Sequence, residues 1–301
     1  MKKIFTLLAL TISFSMNAQL TAVTEGGNTG QRLSTSNASN HGDIGFNAVD
    51  LSYQSSASSV RGATGNYSTA MGRQTKAPGY ASTAMGYYTS ASGYSSTAMG
   101  YYTLASASYS TAMGRSTEAS GDYSTAMGTN TTASDYASTV IGQYNSSGDS
   151  VTNDALFFST SNTAFVIGNG TSGSLSDAFK VMFNGDTTVS NDLTVSGDVV
   201  ISSDARLKSN IVSLGSTLPK LLQIDGKSYE MKGKQKIGVL AQEIKEVFPE
   251  LVSEDDNEML AVNYQGLVPV LINALKEQDE IIKSQEQRLS QVENLLAKLN
   301  D

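Results

Sequence analysis

Cysteine and tryptophan are absent from these 301 residues, and histidine occurs once, at His41. Without cysteine there are no disulfides, no thiolate nucleophiles and no Cys-based zinc sites. One histidine makes a Ser-His-Asp triad or a His-rich metal centre improbable. An excess of positive charge is also lacking. The net charge is −8, which argues against non-specific binding to nucleic acid or to an anionic membrane. Long apolar runs are missing beyond the first residues. Lys2 and Lys3 precede a mostly apolar run from Ile4 to Phe14, and Ser15 to Ala18 ends in a small residue. This reads as a secretory signal over 1–18, cleaved before Gln19, because the run is too short to span a bilayer. No cysteine follows it, so a lipid anchor is not expected. The mature chain is expected outside the cytoplasm with no membrane span. No cofactor or metal is implied. "IGNGTSG" from Ile167 lacks the Lys-Ser/Thr of a phosphate loop, and "EDDNE" from Glu254 lacks the glycine and spacing of a calcium loop.

What is present is a repeat. Met71, Met85, Met99, Met113 and Met127 lie 14 residues apart, and Ile141 continues the column. Glycine follows each of them and threonine precedes each by two. A second Thr column runs from Thr75 to Thr131, and an Ala column from Ala77 to Ala133. A constant register over six rungs requires a repeat architecture. The unit is too short for a helix pair, and its β-branched and aromatic residues punctuated by glycine fit two short strands and two turns. One coil per repeat predicts a parallel β-solenoid with rungs about 4.8 Å apart. Alternation sets each Met on the face of the Thr two before it, with the intervening Ala opposite. The expectation is Met inside, Ala outside, and glycine in a positive-φ turn. So small a coil encloses little, which argues for several chains sharing a core.

Repeats of the form "STAMGxxTxASGxY" resemble the head of trimeric autotransporter adhesins, over roughly Ala48 to Gly148. The resemblance implies a left-handed parallel β-roll built by three chains. The family's Val-Ala-Ile is Thr-Ala-Met here, implying a less apolar core, and its C-terminal membrane β-barrel is not recognisable. Tyrosines recur along the repeats. Read as function they form an exposed adhesive band; read as structure they cover turns and a seam between chains. The pairs Tyr87–Tyr88 and Tyr101–Tyr102 are the better candidates for contact with a glycan or protein ligand.

Charge marks a boundary near residue 202. From Gln19 to Ser202 there are 18 charged side chains in 184 positions, and from Ser203 to Asp301 there are 28 in 99. Between head and boundary, residues 149–202 alternate like strands, with turn signals at Asn169-Gly170 and Asn184-Gly185. Beyond it, "KGKQK" (Lys232 to Lys236) reads as a solvated hairpin tip. Val268, Leu271, Leu275, Gln278, Ile282, Gln285, Leu289, Val292, Leu296 and Leu299 make a heptad seam, so 263–301 is expected to be a parallel trimeric coiled coil.

"SSDARLKSNI" from Ser202, "IGVLAQEIKEVFPELV" from Ile237 and "VNYQGLVPVLINALKEQ" from Val262 closely resemble the intramolecular chaperone domain of phage endosialidase tailspikes and other tail fibres. The resemblance implies a domain that trimerises, guides folding of the β-rich part before it, and then cuts itself off. The scissile bond would join Ser202 to Ser203, with Ser203 as nucleophile, Lys208 as base, and Asp204 and Arg206 as support. Ser203 and Lys208 are five apart, about 140° from a shared face on a straight helix. A turn, or a neighbouring chain, must bring them together. Ser203 also reads as a helix N-cap with Lys208 solvated.

The expected organisation is mostly β: a signal at 1–18, a lead-in at 19–60, β-roll repeats at 61–148, a β neck at 149–202, a small α+β chaperone at 203–262 and a coiled coil at 263–301. The expected function is that of a secreted or surface adhesin-like homotrimer whose only chemistry is one self-cleavage per chain. The rivals are a phage-derived receptor-binding fibre, an uncleaved surface trimer, and a glycan hydrolase, for which the repeats offer only scattered acids such as Glu118 and Asp122.

Overall fold

A computed structural model describes residues 20–254 and 258–300 of the chain, with Asn300 as backbone alone. The expected signal and its cleavage point, and residues 255–257 of "EDDNE", lie outside the described residues. The chain divides into two units, one ending at Asp198 and one beginning at Val199.

In the first unit each 14-residue repeat makes one coil. A five-residue strand such as Thr83–Tyr87 is followed by a shorter one such as Ser90–Ala91. Like strands stack in parallel with identical residues facing, so that Thr83, Ala84, Met85 and Gly86 pair with Thr97, Ala98, Met99 and Gly100. The stack continues beyond the six regular rungs on both sides. Val49–Tyr53 pairs in parallel with Thr69–Arg73, and Thr163–Asn169 pairs in parallel with Thr139–Gln143. The last rung falls inside the expected neck. The rest of that neck turns antiparallel, through Asp177–Met182 and Thr187–Val189.

The inward face is the reverse of the expected one. Ala70, Ala84, Ala98, Ala112, Ala126 and Val140 are fully buried, as are the Ala77-to-Ala133 column and, within 1%, the Thr75-to-Thr131 column. The Met column lies outside, and Met99 is 37% exposed. The reason is size. The interior is filled from both short strands of the coil, and across the regular rungs it is filled almost wholly by Ala, Ser and Thr, with Val140 the largest buried strand side chain. Met shares its outward face with Thr, as alternation requires. The exchange of Val-Ala-Ile for Thr-Ala-Met therefore makes the outer face less apolar and leaves the interior untouched.

Two bends per coil have fixed causes. The glycine after each Met sits at positive φ, from 95° at Gly142 to 126° at Gly100. A Cβ on Gly100 would stand 2.0 Å from the Gly114 carbonyl oxygen. The other bend places a non-glycine residue in the left-handed region on every rung, at Tyr67, Ala81, Ser95, Tyr109, Tyr123 and Ala137. Such residues cost about 1–2 kcal/mol each. Either that residue or the one before it is a tyrosine, and the rings run as one ladder from Phe46 to Tyr136. Their centroids are 4.9–5.6 Å apart. Ring contacts of this kind stabilise by about 0.5–1.5 kcal/mol, enough to offset much of the backbone strain.

Both ends of the roll are closed by buried charge. At the first, the Leu20–Glu25 and Asn28–Leu33 hairpin brings Arg32 onto Glu25 at 2.8 and 2.9 Å. Asp50, fully buried, lies 2.7 Å from Nδ1 of His41 and accepts from the Ser52 hydroxyl and amide. Burial pushes the Asp50 carboxyl up, and the bonds from His41 and Ser52 reverse this to a net lowering. His41 is thus a buried hydrogen-bond partner of Asp50. At the other end Asp135 accepts from the amides of Thr152 and Thr163.

The second unit is built on the helix Leu267–Asn300. Ile244, Phe248 and Val270 form its core, packed by Leu221, Val247, Leu251 and Leu267. "KGKQK" is the tip of a hairpin between Lys227–Met231 and Lys234–Gly238, with Lys232 and Gly233 at positive φ.

Ala112→Leu should overfill the coil and destabilise the head by about 1–3 kcal/mol or more, read as a lowered Tm of the β signal in circular dichroism. Met113→Leu on the outer face should leave that signal in place. Equal losses from both would contradict the inward assignment of alanine.

Candidate functional site

The second unit opens with an extended segment. Ala205–Leu207 forms a single 3-10 turn, and Lys208 after it returns to extended backbone at φ −120° and ψ 145°. The turn folds the chain back enough for Lys208 Nζ to donate to Ser203 Oγ at 2.7 Å. The two residues that a regular helix would hold apart therefore meet within one chain. The cap is Asp204, whose side chain accepts from the Arg206 amide, and Ser203 is displaced from that role. Asp is as good a cap as Ser, and freeing Ser203 leaves its hydroxyl for Lys208.

Asp204 and Arg206 form a forked ion pair, with Nε 3.0 and 3.1 Å from the two carboxylate oxygens and a terminal nitrogen at 2.6 Å. Arg206 holds the Asp204 carboxyl below its ordinary value, and Asp204 raises the guanidinium in return. The pair clamps the turn between Ser203 and Lys208. All of Ser202 to Lys208 is exposed.

The segment rejoins the unit's body through Glu277 on the long helix. Its carboxylate accepts from the amide and hydroxyl of Thr217, the hydroxyl of Ser216 and the amide of Leu218. The Thr217 amide is the largest of the causes that hold the Glu277 carboxyl below its ordinary value. Glu277 thus caps the short helix Leu218–Leu221 from a distance. Sequence alone did not single it out, since a helix-borne Glu is ordinarily solvated.

The tyrosine pairs in the head come together as a quartet. Tyr87 stacks on Tyr101 at 5.3 Å and Tyr88 on Tyr102 at 4.8 Å, with edge contacts of 4.7 Å within each rung. Among the described residues no acidic or histidine cluster could hold a metal ion, and no helix is long and apolar enough to cross a membrane.

Residues 63–89, 91–117 and 119–145 match the YadA head domain repeat. Residues 203–253 match the chaperone of endosialidase, and the match begins at Ser203. No curated protein matches the chain. The chain therefore joins YadA head repeats to an endosialidase-type chaperone domain.

Glu277→Gln should loosen residues 216–218, read as faster amide exchange at Thr217 and Leu218. The sign with pH follows from the lowered carboxyl. Its contribution is present above the ordinary carboxylate range and is lost as pH falls through the folded value. Wild-type protection at these amides should therefore collapse in acid, and the variant should show little of that change.

Proposed function

We propose that the protein is an exported, trimeric adhesin-like fibre whose C-terminal domain aligns three chains, assists winding of the head, and then cuts itself away between Ser202 and Ser203. The contact between Lys208 Nζ and Ser203 Oγ, at the first residue of the chaperone match, carries the cleavage reading.

Three surfaces support the trimer. The Met and Thr columns give the roll an outward, half-apolar face in constant register. On the long helix the heptad seam is uncovered, with Val268, Leu275, Leu289, Leu296 and Leu299 all more than half exposed. Around the dyad, Val200, Ile201, Leu207, Ile211 and Val212 are exposed as well. Apolar exposure on this scale marks surfaces that meet a partner, and three copies of the chain would cover all three.

The chemistry balances without a cofactor. Lys208 Nζ, in its neutral form, takes the Ser203 hydroxyl proton as Oγ attacks the Ser202 carbonyl carbon. The carbon–nitrogen bond then breaks, and the nitrogen of Ser203 takes the proton as a free amine. The resulting ester links Ser202 to Oγ. Water hydrolyses it, giving a Ser202 carboxylate and restoring the hydroxyl. An exposed lysine is a poor base because burial is what lowers an amine's hold on its proton. The apolar residues flanking the dyad would be buried by the neighbouring chains, so assembly would desolvate Lys208 and start the reaction. Cleavage is thereby timed to follow trimerisation.

Full-length chain allowed to assemble should yield a fragment of the 99 residues from Ser203 to Asp301, identified by intact mass. Ser203→Ala and Lys208→Ala should assemble uncut. Cleavage of wild type should speed as pH rises from about 6 to about 9, as a lysine base requires. A trimer by light scattering that stays whole across that range would remove the self-cleavage reading. A monomer would remove the trimer.

A further inference from the structure

The tyrosine quartet stands in an unusual electrostatic setting. From Leu51 to Thr117 the chain holds no aspartate or glutamate, while it holds Arg61, Arg73, Lys76 and Arg115. These are four of the six cations between Gln19 and Ser202, inside a protein of net charge −8. Register places two of them against the quartet. Arg73 pairs with Tyr87 on the next rung, Tyr87 with Tyr101, and Tyr101 with Arg115. One column along the stem thus reads Arg, Tyr, Tyr, Arg over three rung spacings, about 14 Å. Arg73 lies 5.4 Å from the Tyr87 ring and Arg61 6.0 Å from the Tyr88 ring.

The rings face each other along the stem. Tyr87 and Tyr101 are within 9° of parallel and Tyr88 and Tyr102 within 4°. Each stack covers one face of each ring, and Arg73 and Arg61 stand over the Tyr87 and Tyr88 rings. Burial and the neighbouring phenols push the Tyr102 hydroxyl up, which keeps it a hydrogen-bond donor. Single-stranded nucleic acid needs open ring faces for base stacking, and a protein partner needs an apolar centre to the patch. Neither is offered. A row of hydroxyls between arginine forks instead matches a polyhydroxy chain bearing carboxylates or sulfates.

We propose that Tyr87, Tyr88, Tyr101 and Tyr102, bracketed by Arg73 and Arg115, form a binding site for an acidic polysaccharide lying along the stem. The proposal rests on the head being the binding part of the fibre, and it names the ligand class for that part.

The test uses the assembled full chain, with trimer and folding checked by light scattering and circular dichroism. Binding is measured to polygalacturonate, dextran sulfate, neutral dextran and a thymidine oligonucleotide. Either acidic glycan should bind, with affinity falling as salt rises, and the preference between them tells carboxylate from sulfate. Replacing all four tyrosines with phenylalanine keeps the ring stack and removes the hydroxyls. This variant should bind about tenfold more weakly. Arg73→Gln with Arg115→Gln should weaken binding and flatten its salt dependence. Tyr109→Phe with Tyr123→Phe on the other ladder should change nothing. No binding to either acidic glycan by an intact trimer would overturn the site while leaving the trimer standing. Equal binding to neutral dextran, binding of the oligonucleotide alone, or full affinity in the four-tyrosine variant would overturn it as well.

Discussion

The close stacking of 14-residue coils is the constraint on which the rest depends. A coil that short closes over a space filled mainly by Ala, Ser and Thr, and its glycine bends bring the backbones of adjacent rungs into contact. Backbone pairing from rung to rung, rather than a bulky core, therefore holds the head together. Larger side chains are excluded to the outside. The Met column is there because it does not fit within, and the tyrosine ladders are there because bends that must be left-handed on every rung gain from ring contacts between rungs.

Periodicity was legible in the sequence because stacking demands the same backbone at every level. Assigning the faces was harder. Alternation separates Ala from Met but does not say which is inside. A signal was available. The buried columns stay small on every rung, with Ser68 to Ser138, Ala70 to Val140 and Ala77 to Ala133. The exposed column after the glycine varies freely through Arg73, Tyr87, Tyr101, Arg115 and Thr129. Tolerance of size marks the outside. The last rung was hidden for another reason. The insertion between Gln143 and Thr163 breaks the period, although Ile141 still meets Ile167. The Glu25, Arg32, His41 and Asp50 cluster was illegible because it belongs to no repeat and is assembled by the hairpin and the first rung.

At the C-terminal site the motif was visible and its local geometry was not. A spacing of five argues against one helix, and the chain resolves this with a single 3-10 turn capped by Asp204. The cap shifts by one residue from Ser203, and that shift is what leaves the Ser203 hydroxyl free to meet Lys208. The ion pair of Asp204 with Arg206 holds the turn itself and does not contact Ser203 or Lys208.

A thin interior, an outward Met face and an exposed dyad form one chain of cause. The regular rungs of a single roll bury mainly small side chains, and the Met column stays at the surface. Winding three such rolls in register means matching strands across chains before any contact rewards it, which is slow. In the proposed trimer, a coiled-coil seam on the long helix would remove most of that search by fixing the three copies side by side. Once the rolls have closed, their many rung contacts give a high unfolding barrier, and the clamp contributes nothing further to persistence. Under the proposed self-cleavage, a lysine that becomes a base only when buried by the assembled clamp would release the head at that stage and not before. The same exposure that leaves Ser203 and Lys208 inert in one chain is therefore what would make their reaction a report on assembly.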